Sequence, residues 1–385
     1  MTEIPDKTLK ARYGPEVPRK IGEHIGVVFP AWKQEAFLQA ALNGYDNLEL
    51  MDRGRQISKA LRQHLPPRFS EALDILLASL GPPLTHTHSF GMAPFHYLPH
   101  VFFVGTYGPE SILSGQDADF DRCMWAQHAL TQRFTAEFSM RPFLIHFPEA
   151  TLKYLHRWCT DPSEHVRRLV SEGTRPRLPW APRLPAFQKD PSPVIALLEN
   201  LKNDPARYVQ RSVANNLNDI SKDSPASFYR TLQNWQGKCH PWIIQHALRT
   251  ALKRGDPEAL ALSGFETGEA KNAHLVIEES KCSPETPRMG ESVTVHCLLR
   301  NTGTTPQKAL VNIAIDYVRA SGKSSRKIFR LKTVTLSAGE GVELAKSIGL
   351  HAMTTRQHYP GKHPVSLLLN GVDYPIGFFN LLSGN

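Results

Sequence analysis

The sequence predicts a mainly α chain: a helical solenoid of HEAT-like repeats followed by an all-β sandwich of immunoglobulin-like type. Three observations carry that prediction. Residues 33–254 read largely as apolar stripes at three- and four-residue spacing, the mark of amphipathic helices. A twelve-residue pattern occurs twice, since "DPSEHVRRLVSE" from Asp161 and "DPARYVQRSVAN" from Asp204 agree at five positions, each 43 residues apart. From about residue 268 the text turns to short alternating runs separated by turn residues.

Taken in order, residues 1–31 carry Pro5, Pro15, Pro18 and Pro30 with mixed charge and read as an arm leading into the fold. "KQEAFLQAAL", "DRGRQISKALRQHL" and "RFSEALDILLASL" are helices, broken at Asn43–Gly44, Pro66–Pro67 and Gly81. "LTHTHSFGMAPFHYLPH" is irregular and rich in His. "FDRCMWAQHALTQRFTAEFSMR" reads as one helix that Pro142 ends or kinks. "PEATLKYLHRWC" follows, with Pro148 suited to its first turn. After the two repeats, "PWIIQHALRTALKRG" is a last helix with Lys253 and Arg254 in its final turn and Gly255 behind it.

In the final part, Val293, Val295 and Cys297 share one strand face. Val311, Ile313, Ile315 and Tyr317 share another, and Val365, Leu367 and Leu369 a third. The length of 385 residues exceeds one ordinary core, so the chain divides into residues 1–267, the repeats, and residues 268–385, the sandwich. The net charge of +9 favours an anionic partner. Five scattered Cys without a paired framework indicate a reducing compartment. No apolar run approaches the roughly 20 residues of a spanning helix, and the first residues lack a secretory h-region. The expectation is a cytoplasmic monomer with no membrane partner.

A 43-residue helical period lies within the roughly 40–47 residues of HEAT and armadillo units. In the second copy Val209, Val213, Leu217 and Ile220 form the apolar stripe, and Arg211, Asn215, Asn218 and Lys222 a polar one. "ANNLND" places poor helix formers inside a helix, so something other than helix propensity selects them. In the first copy the polar station holds Arg168 and Glu172. Pattern alone leaves two readings: a solvated pair contributing a few tenths of a kcal/mol, or a functional station. Between the copies, the prolines of "EGTRPRLPWAPRLP" impose an extended path that carries Arg175, Arg177, Arg183 and Trp180. Such arginines suit phosphates; alternatively the segment is a linker whose Trp packs on the next repeat.

"TAEFSMRPFLIHFP", "VRRLVSEGTRPRLPWAP", "VQRSVANNLNDISKDSP" and "IIQHALRTALKRGDPEAL" resemble, in this order, the HEAT-like-repeat alkylbase DNA glycosylases of the AlkC branch. "MGESVTVHCLLRNTG", "KSSRKIFRLK" and "TTRQHYPGKHPVSLLLNG" resemble the immunoglobulin-like domain found in part of that branch. The resemblance implies a bacterial, nucleoid-associated enzyme of base excision repair. It would hydrolyse the N-glycosidic bond of cationic bases, 3-methylcytosine and 3-methyladenine and by extension 1-methyladenine, in double-stranded DNA, without a tight flipped-base pocket. A methylated cationic base is already a good leaving group. The remaining task is to stabilise positive charge on the deoxyribose and to position water, and a carboxylate does both.

By this resemblance Glu137 is the lead carboxylate, Glu172 the second, and Trp180 the aromatic beside the lesion. Arg141, Arg168, Arg175, Arg177, Arg211 and Asn215 would grip DNA or order the site, with Asp219 supporting or merely pairing. In the sandwich, Tyr317–Lys332 holds six Lys and Arg and no acid, which suits a hairpin-like basic tip for a DNA backbone through Lys323, Arg326, Lys327 and Arg330. "TTRQHYPGKH" offers Arg356, His358 and Lys362 as a second contact. His86, His88, His96 and His100 invite a metal, but no strand–helix barrel or zinc spacing accompanies them, so no metal and no cofactor is expected. "SGKSS" lacks the upstream glycine of a phosphate loop. The competing class is a non-catalytic HEAT scaffold that binds DNA or a protein.

Overall fold

The computed structural model describes residues 8–84, 93–115, 119–265, 272, 274–351 and 357–383. The chain forms two compact units, Met1–Ala247 and Leu248–Asn385. The first is all helical. Its helices are α1 (Glu16–Val28), α2 (Gln34–Leu42), α3 (Leu50–His64), α4 (Phe69–Ala78), α5 (Leu98–Leu113), α6 (Phe120–Thr131) and α7 (Glu137–His146). They continue as α8 (Pro148–Trp158), α9 (Glu164–Gly173), α10 (Pro185–Lys189), α11 (Ser192–Leu201), α12 (Arg207–Asp223), α13 (Pro225–Trp235) and α14 (Pro241–Ala247).

These helices stack as a solenoid. In one layer α3, α5, α7, α9, α12 and α14 pack in succession, while α8, α11 and α13 cover the other side of α9 and α12. The repeat sits at α9 and α12, where Val166, Val170, Val209 and Val213 are all fully buried. Its Asp is explained by joints between units. Asp161 Oδ2 lies 2.8 Å from His128 Nε2, and Asp204 Oδ2 takes Arg167 Nε at 2.6 Å. Each Asp also accepts a backbone N–H two residues on, Ser163 and Ala206, at 2.8 Å. Arg167 and Gln210, 43 residues apart, each donate to the carbonyl of their own repeat's Asp at 2.8 Å.

Several expected elements are redrawn. The proline-bearing arm contains α1, with Ile21 and Ile25 buried; Pro15 and Pro18 fall at its start, where a missing N–H costs nothing. "FDRCMW…SMR" is two helices, because the chain leaves α6 after Thr131 and restarts at Glu137. Pro142 lies within α7 and does not end it. "PWIIQHALRTALKRG" also divides, into α14 and α15 (Arg249–Arg254), the latter in the second unit. Asn218 leaves the expected polar stripe: it is buried and donates to Ala247 O at 2.9 Å, while Asn216 donates to Ser171 O at 2.8 Å. The helix-poor asparagines thus satisfy backbone carbonyls on the neighbouring helices.

The second unit adds α16 (Pro257–Leu262) and seven strands: β1 (Leu275–Ser283), β2 (Ser292–Asn301), β3 (Gln307–Val318), β4 (Ser324–Leu336), β5 (Gly341–Gly349), β6 (Gly361–Leu369) and β7 (Val372–Leu381). Two antiparallel sheets, in orders β1-β2-β5 and β4-β3-β6-β7, enclose one core. Every alternating residue expected inside is there, from Val293 and Val295 through Ile313 and Ile315 to Leu367 and Leu369. Asn370 and Gly371 join β6 to β7 with φ of 46° and 84°, the two positive values that a two-residue type I′ hairpin requires.

Candidate active site

The site is built where α7, α9 and α12 lie side by side. Helix α7 begins at Glu137 because Thr135 turns the chain: its Oγ1 accepts Glu137 N–H at 3.3 Å and donates to Glu137 Oε2 at 2.7 Å. A carboxylate in the first turn is also favoured by the helix dipole. Arg168, on α9, reaches the same place, with Nη1 2.6 Å from Glu137 Oε2 and 2.7 Å from Thr135 Oγ1. Its Nη2 is 3.4 Å from Glu172 Oε1, one turn along α9. One guanidinium therefore stands between both candidate carboxylates.

Glu172 is the more heavily committed acid. Its Oε1 accepts Arg175 Nη1 at 2.7 Å, and its Oε2 accepts Ser212 Oγ, from α12, at 2.7 Å. Ser171 donates to Ser212 at 2.7 Å behind it. Arg175 goes on to Asp219 Oδ2 at 2.8 Å, and Lys222 closes on Asp219 Oδ1 at 2.9 Å. Burial would raise Glu172, but the Arg168 and Arg175 guanidiniums and the Ser212 hydroxyl outweigh it and hold the acid below its ordinary range. Burial likewise opposes the charge of Arg168, yet Glu137 and Glu172 keep it more firmly protonated than usual. By contrast, the side-chain contacts of Glu137 with Thr135 and Arg168 both fall on Oε2, and no hydrogen bond reaches Oε1 among the described residues. Tyr208 borders the cluster, its ring 5.3 Å from the Arg168 guanidinium carbon.

The loop after α9 carries Trp180, which is 63% exposed and holds φ of +61°, a strained value for a bulky residue. Four anchors impose that shape. Leu184 N–H closes on Pro176 O at 3.1 Å. Arg175 is tied to Asp219, and Arg177 is bidentate on Asp223. Arg141, wholly buried on α7, donates to the carbonyls of Pro182 and Arg175 at 2.5 and 2.9 Å. Burial lowers the Arg141 guanidinium to about 10.

The sequence-selected residues accordingly separate into groups. Glu137, Arg168, Glu172, Arg175 and Asp219 form one network, buried where the pattern also allowed a solvated pair. Arg141 is corrected from a DNA contact to a clamp of the Trp180 loop, because none of it is exposed. Arg177 is turned onto Asp223. Trp180 does not pack on the next repeat. Arg211 is exposed on α12 and Asn215 half-buried. Thr135, Ser212, Tyr208 and Asp223 escaped the sequence reading; the only signal was that Thr135 opens the string holding Glu137, and that Tyr208, Ser212 and Asp223 lie in the strings holding Asn215.

In the sandwich the basic segment is mostly strand. Lys323 is exposed in the β3–β4 turn, but Arg326, Lys327 and Arg330 lie along β4. Arg326 pairs with Asp373, and Lys327 Nζ lies 5.0 Å from the Phe329 ring centroid. Lys362, on β6, is exposed 4.0 Å from the Phe378 ring centroid. His358 is buried beside Tyr317, which corrects its reading as a surface contact. Arg356, His86 and His88 lie outside the described residues. Among those described, no group of three His, Cys, Asp or Glu is placed to hold a metal ion. No described helix is long and apolar enough to cross a membrane.

A family model described as "Uncharacterised protein YhaZ, C-terminal Ig-like domain" matches residues 276–383. The uncharacterized protein YhaZ of Bacillus subtilis (strain 168) is 35% identical over 367 residues, covering 94% of this chain and 96% of its own. The alkylpurine DNA glycosylase AlkC of Pseudomonas fluorescens, solved bound to DNA containing an abasic site analogue, superposes with a TM-score of 0.87 at 35% identity, covering 97% of this chain and 99% of that one. With a helical repeat unit, an immunoglobulin-like unit and both whole-length likenesses, the chain belongs to the AlkC-type family of HEAT-like-repeat DNA glycosylases that end in an immunoglobulin-like domain.

Proposed function

We propose that this protein is a monofunctional DNA glycosylase that releases cationic N-alkylated bases, 3-methylcytosine, 3-methyladenine and 1-methyladenine, from duplex DNA. It works as a monomer in the cytoplasm at the nucleoid, and it needs no metal or cofactor. The single observation that carries the reading is the unequal state of the two acids. Glu172 has both oxygens committed to Arg168, Arg175 and Ser212, whereas Glu137 keeps Oε1 free of hydrogen bonds among the described residues.

The chemistry follows from that inequality. As the bond between C1′ and the base nitrogen lengthens, the electron pair leaves with the base and neutralises it, and positive charge gathers on the sugar. Glu137 faces this charge through Oε1 and orients the attacking water, taking its proton as the C1′–O bond forms. A carboxylate at ~4 Å with an effective dielectric of ~20 contributes about 4 kcal/mol, near a thousandfold in rate. Glu172 acts at one remove by fixing Arg168, and Trp180 offers its exposed face to the cation.

The test is single-turnover release of 3-methylcytosine from a duplex oligonucleotide, in EDTA. The parent should release base. Glu137→Gln should bind the duplex with similar affinity and release base on the order of a hundred- to a thousandfold more slowly. A rate within a few-fold of the parent removes Glu137 from this role, and no release by the parent leaves the non-catalytic scaffold reading in its place.

A further inference from the structure

The arginines around the acid network spend their forks on the protein itself. Arg168 and Arg175 are committed to carboxylates, Arg177 to Asp223, and Arg141 to backbone carbonyls. Arg207, the first residue of α12, is held in a different way. Its guanidinium carbon lies 4.3 Å from the ring centroid of Trp242, on α14. His246, one turn along α14, stacks on the same indole at 4.4 Å and 11°, which fixes the plane of the ring. Arg207 is exposed, and no carboxylate reaches it among the described residues.

Stacking differs from ion pairing in what it leaves available. An indole engages the face of a guanidinium, while the N–H groups point outward in its plane. The Arg207 side chain is thus ordered before any ligand arrives, with its fork open to solvent. A planar fork of this kind matches the oxygens of a phosphodiester.

The position of the stack ties it to the acid site. Helix α12 has two flanks. On one, Ser212 reaches Glu172 of α9, and Tyr208 borders Arg168. On the other, Asn218 donates to Ala247 O of α14, and Arg207 meets Trp242. The strip between the flanks carries exposed Arg211, one turn after Arg207, and half-buried Asn215. A DNA strand lying across this strip passes from the acids to Arg207.

We infer that Arg207 grips one phosphodiester of the bound DNA beside the acid site, and that Trp242 is the positioning residue that holds the guanidinium ready for it. The inference deepens the proposed function and rests on it for the identity of the partner.

The experiment measures affinity for an unmodified duplex across a chloride series. It compares the full chain with Arg207→Gln, Trp242→Leu, Trp242→Phe and the double variant Arg207→Gln/Trp242→Leu. Arg207→Gln should weaken binding about tenfold at physiological salt and lower the salt slope by about one unit. Trp242→Leu should weaken it about three- to fivefold with the slope unchanged, since the charge remains and only its pre-ordering is lost. Trp242→Phe keeps an aromatic face and should bind within about twofold of the parent. In the Arg207→Gln background, Trp242→Leu should change nothing further, because the two side chains act as one unit. An unchanged slope in Arg207→Gln overturns the grip. Equal weakening by Trp242→Leu with and without Arg207, or no rescue by Phe, overturns the positioning role, since either describes an indole that packs or touches DNA on its own account. Base release by the parent is scored separately. A parent that binds duplex but releases nothing overturns the glycosylase reading and leaves this inference standing, whereas a parent that binds no duplex overturns both.

Discussion

Arg168 and Trp180 show what single residues contribute. Arg168 lets an acid from α7 and an acid from α9 share one guanidinium, which favours the ionised form of the buried Glu172. Trp180 holds a left-handed backbone that costs an L-residue roughly 1–2 kcal/mol and that glycine adopts freely. We therefore expect Trp180→Gly to be more stable than Trp180→Ala, by about 1 kcal/mol in urea unfolding, while both lose base release alike. Equal stabilities would mean that the loop relaxes once the indole is gone. Glu137, Glu172 and Trp180 are legible only through the family resemblance, because by spacing the acids are ordinary members of helical charge ladders. Thr135 and Ser212 are not legible, since the packing of α7 against α9 and of α9 against α12 is what brings them to the acids.

At the scale of elements, the repeated Asp does more than begin a helix. Asp204 is nearly buried and holds Arg167, itself only 14% exposed, so its removal strands a charge. We predict that Asp204→Ala costs about 3 kcal/mol, and Asp161→Ala clearly less because its partner His128 is the more exposed at 27%. Urea midpoints of the two variants check the order. Helix α5 adds a pH dependence. Burial, helped by His96 and His24, lowers the buried His100 to about 3. The unfolded chain takes up a proton near pH 6.5 that the folded chain refuses until about 3. The neutral form's contribution is therefore whole above about pH 6.5 and shrinks as pH falls toward 3, by up to about 1.4 kcal/mol per unit. His100→Phe should flatten that slope in unfolding measured between pH 4 and 7; an unchanged slope places the proton uptake elsewhere. Helix existence was legible from periodicity, but the breaks at Gln132–Ala136 and Leu248 were not. Both lie in strings whose apolar spacing runs on, and only the accounting of backbone partners in the fold ends the helices there.

For the whole molecule, the solenoid carries the acid network and the second unit carries a further set of basic side chains. A chain of residues 1–247 keeps Glu137, Glu172 and Trp180 and loses Lys253, Lys323, Lys327, Arg330 and Lys362. We predict that it binds duplex DNA more weakly, with a lower salt slope, and releases base much more slowly, because misplacing the duplex by about 1 Å costs on the order of a hundredfold. Binding across a salt series, beside single-turnover release, checks this; equal slopes and rates would assign the second unit some other task. The two architectures were legible because periods near 3.6 and 2 are unlike. The boundary was not, since α15 and α16 read as ordinary helix although they group with the strands.

The meeting of Gly255 and Gly371 has a practical consequence for that boundary. Gly255 ends α15 with φ of +75°, and a side-chain carbon there would lie 2.5 Å from the Gly371 Cα in the β6–β7 hairpin. Helix end and hairpin turn thus touch backbone to backbone, at positions that admit no side chain on either partner. Anyone grafting the immunoglobulin-like module onto another protein should therefore carry the segment from Leu248 onward as part of it. A graft begun at residue 268 would leave the hairpin's glycine facing a gap, in a module shorn of its own buttress.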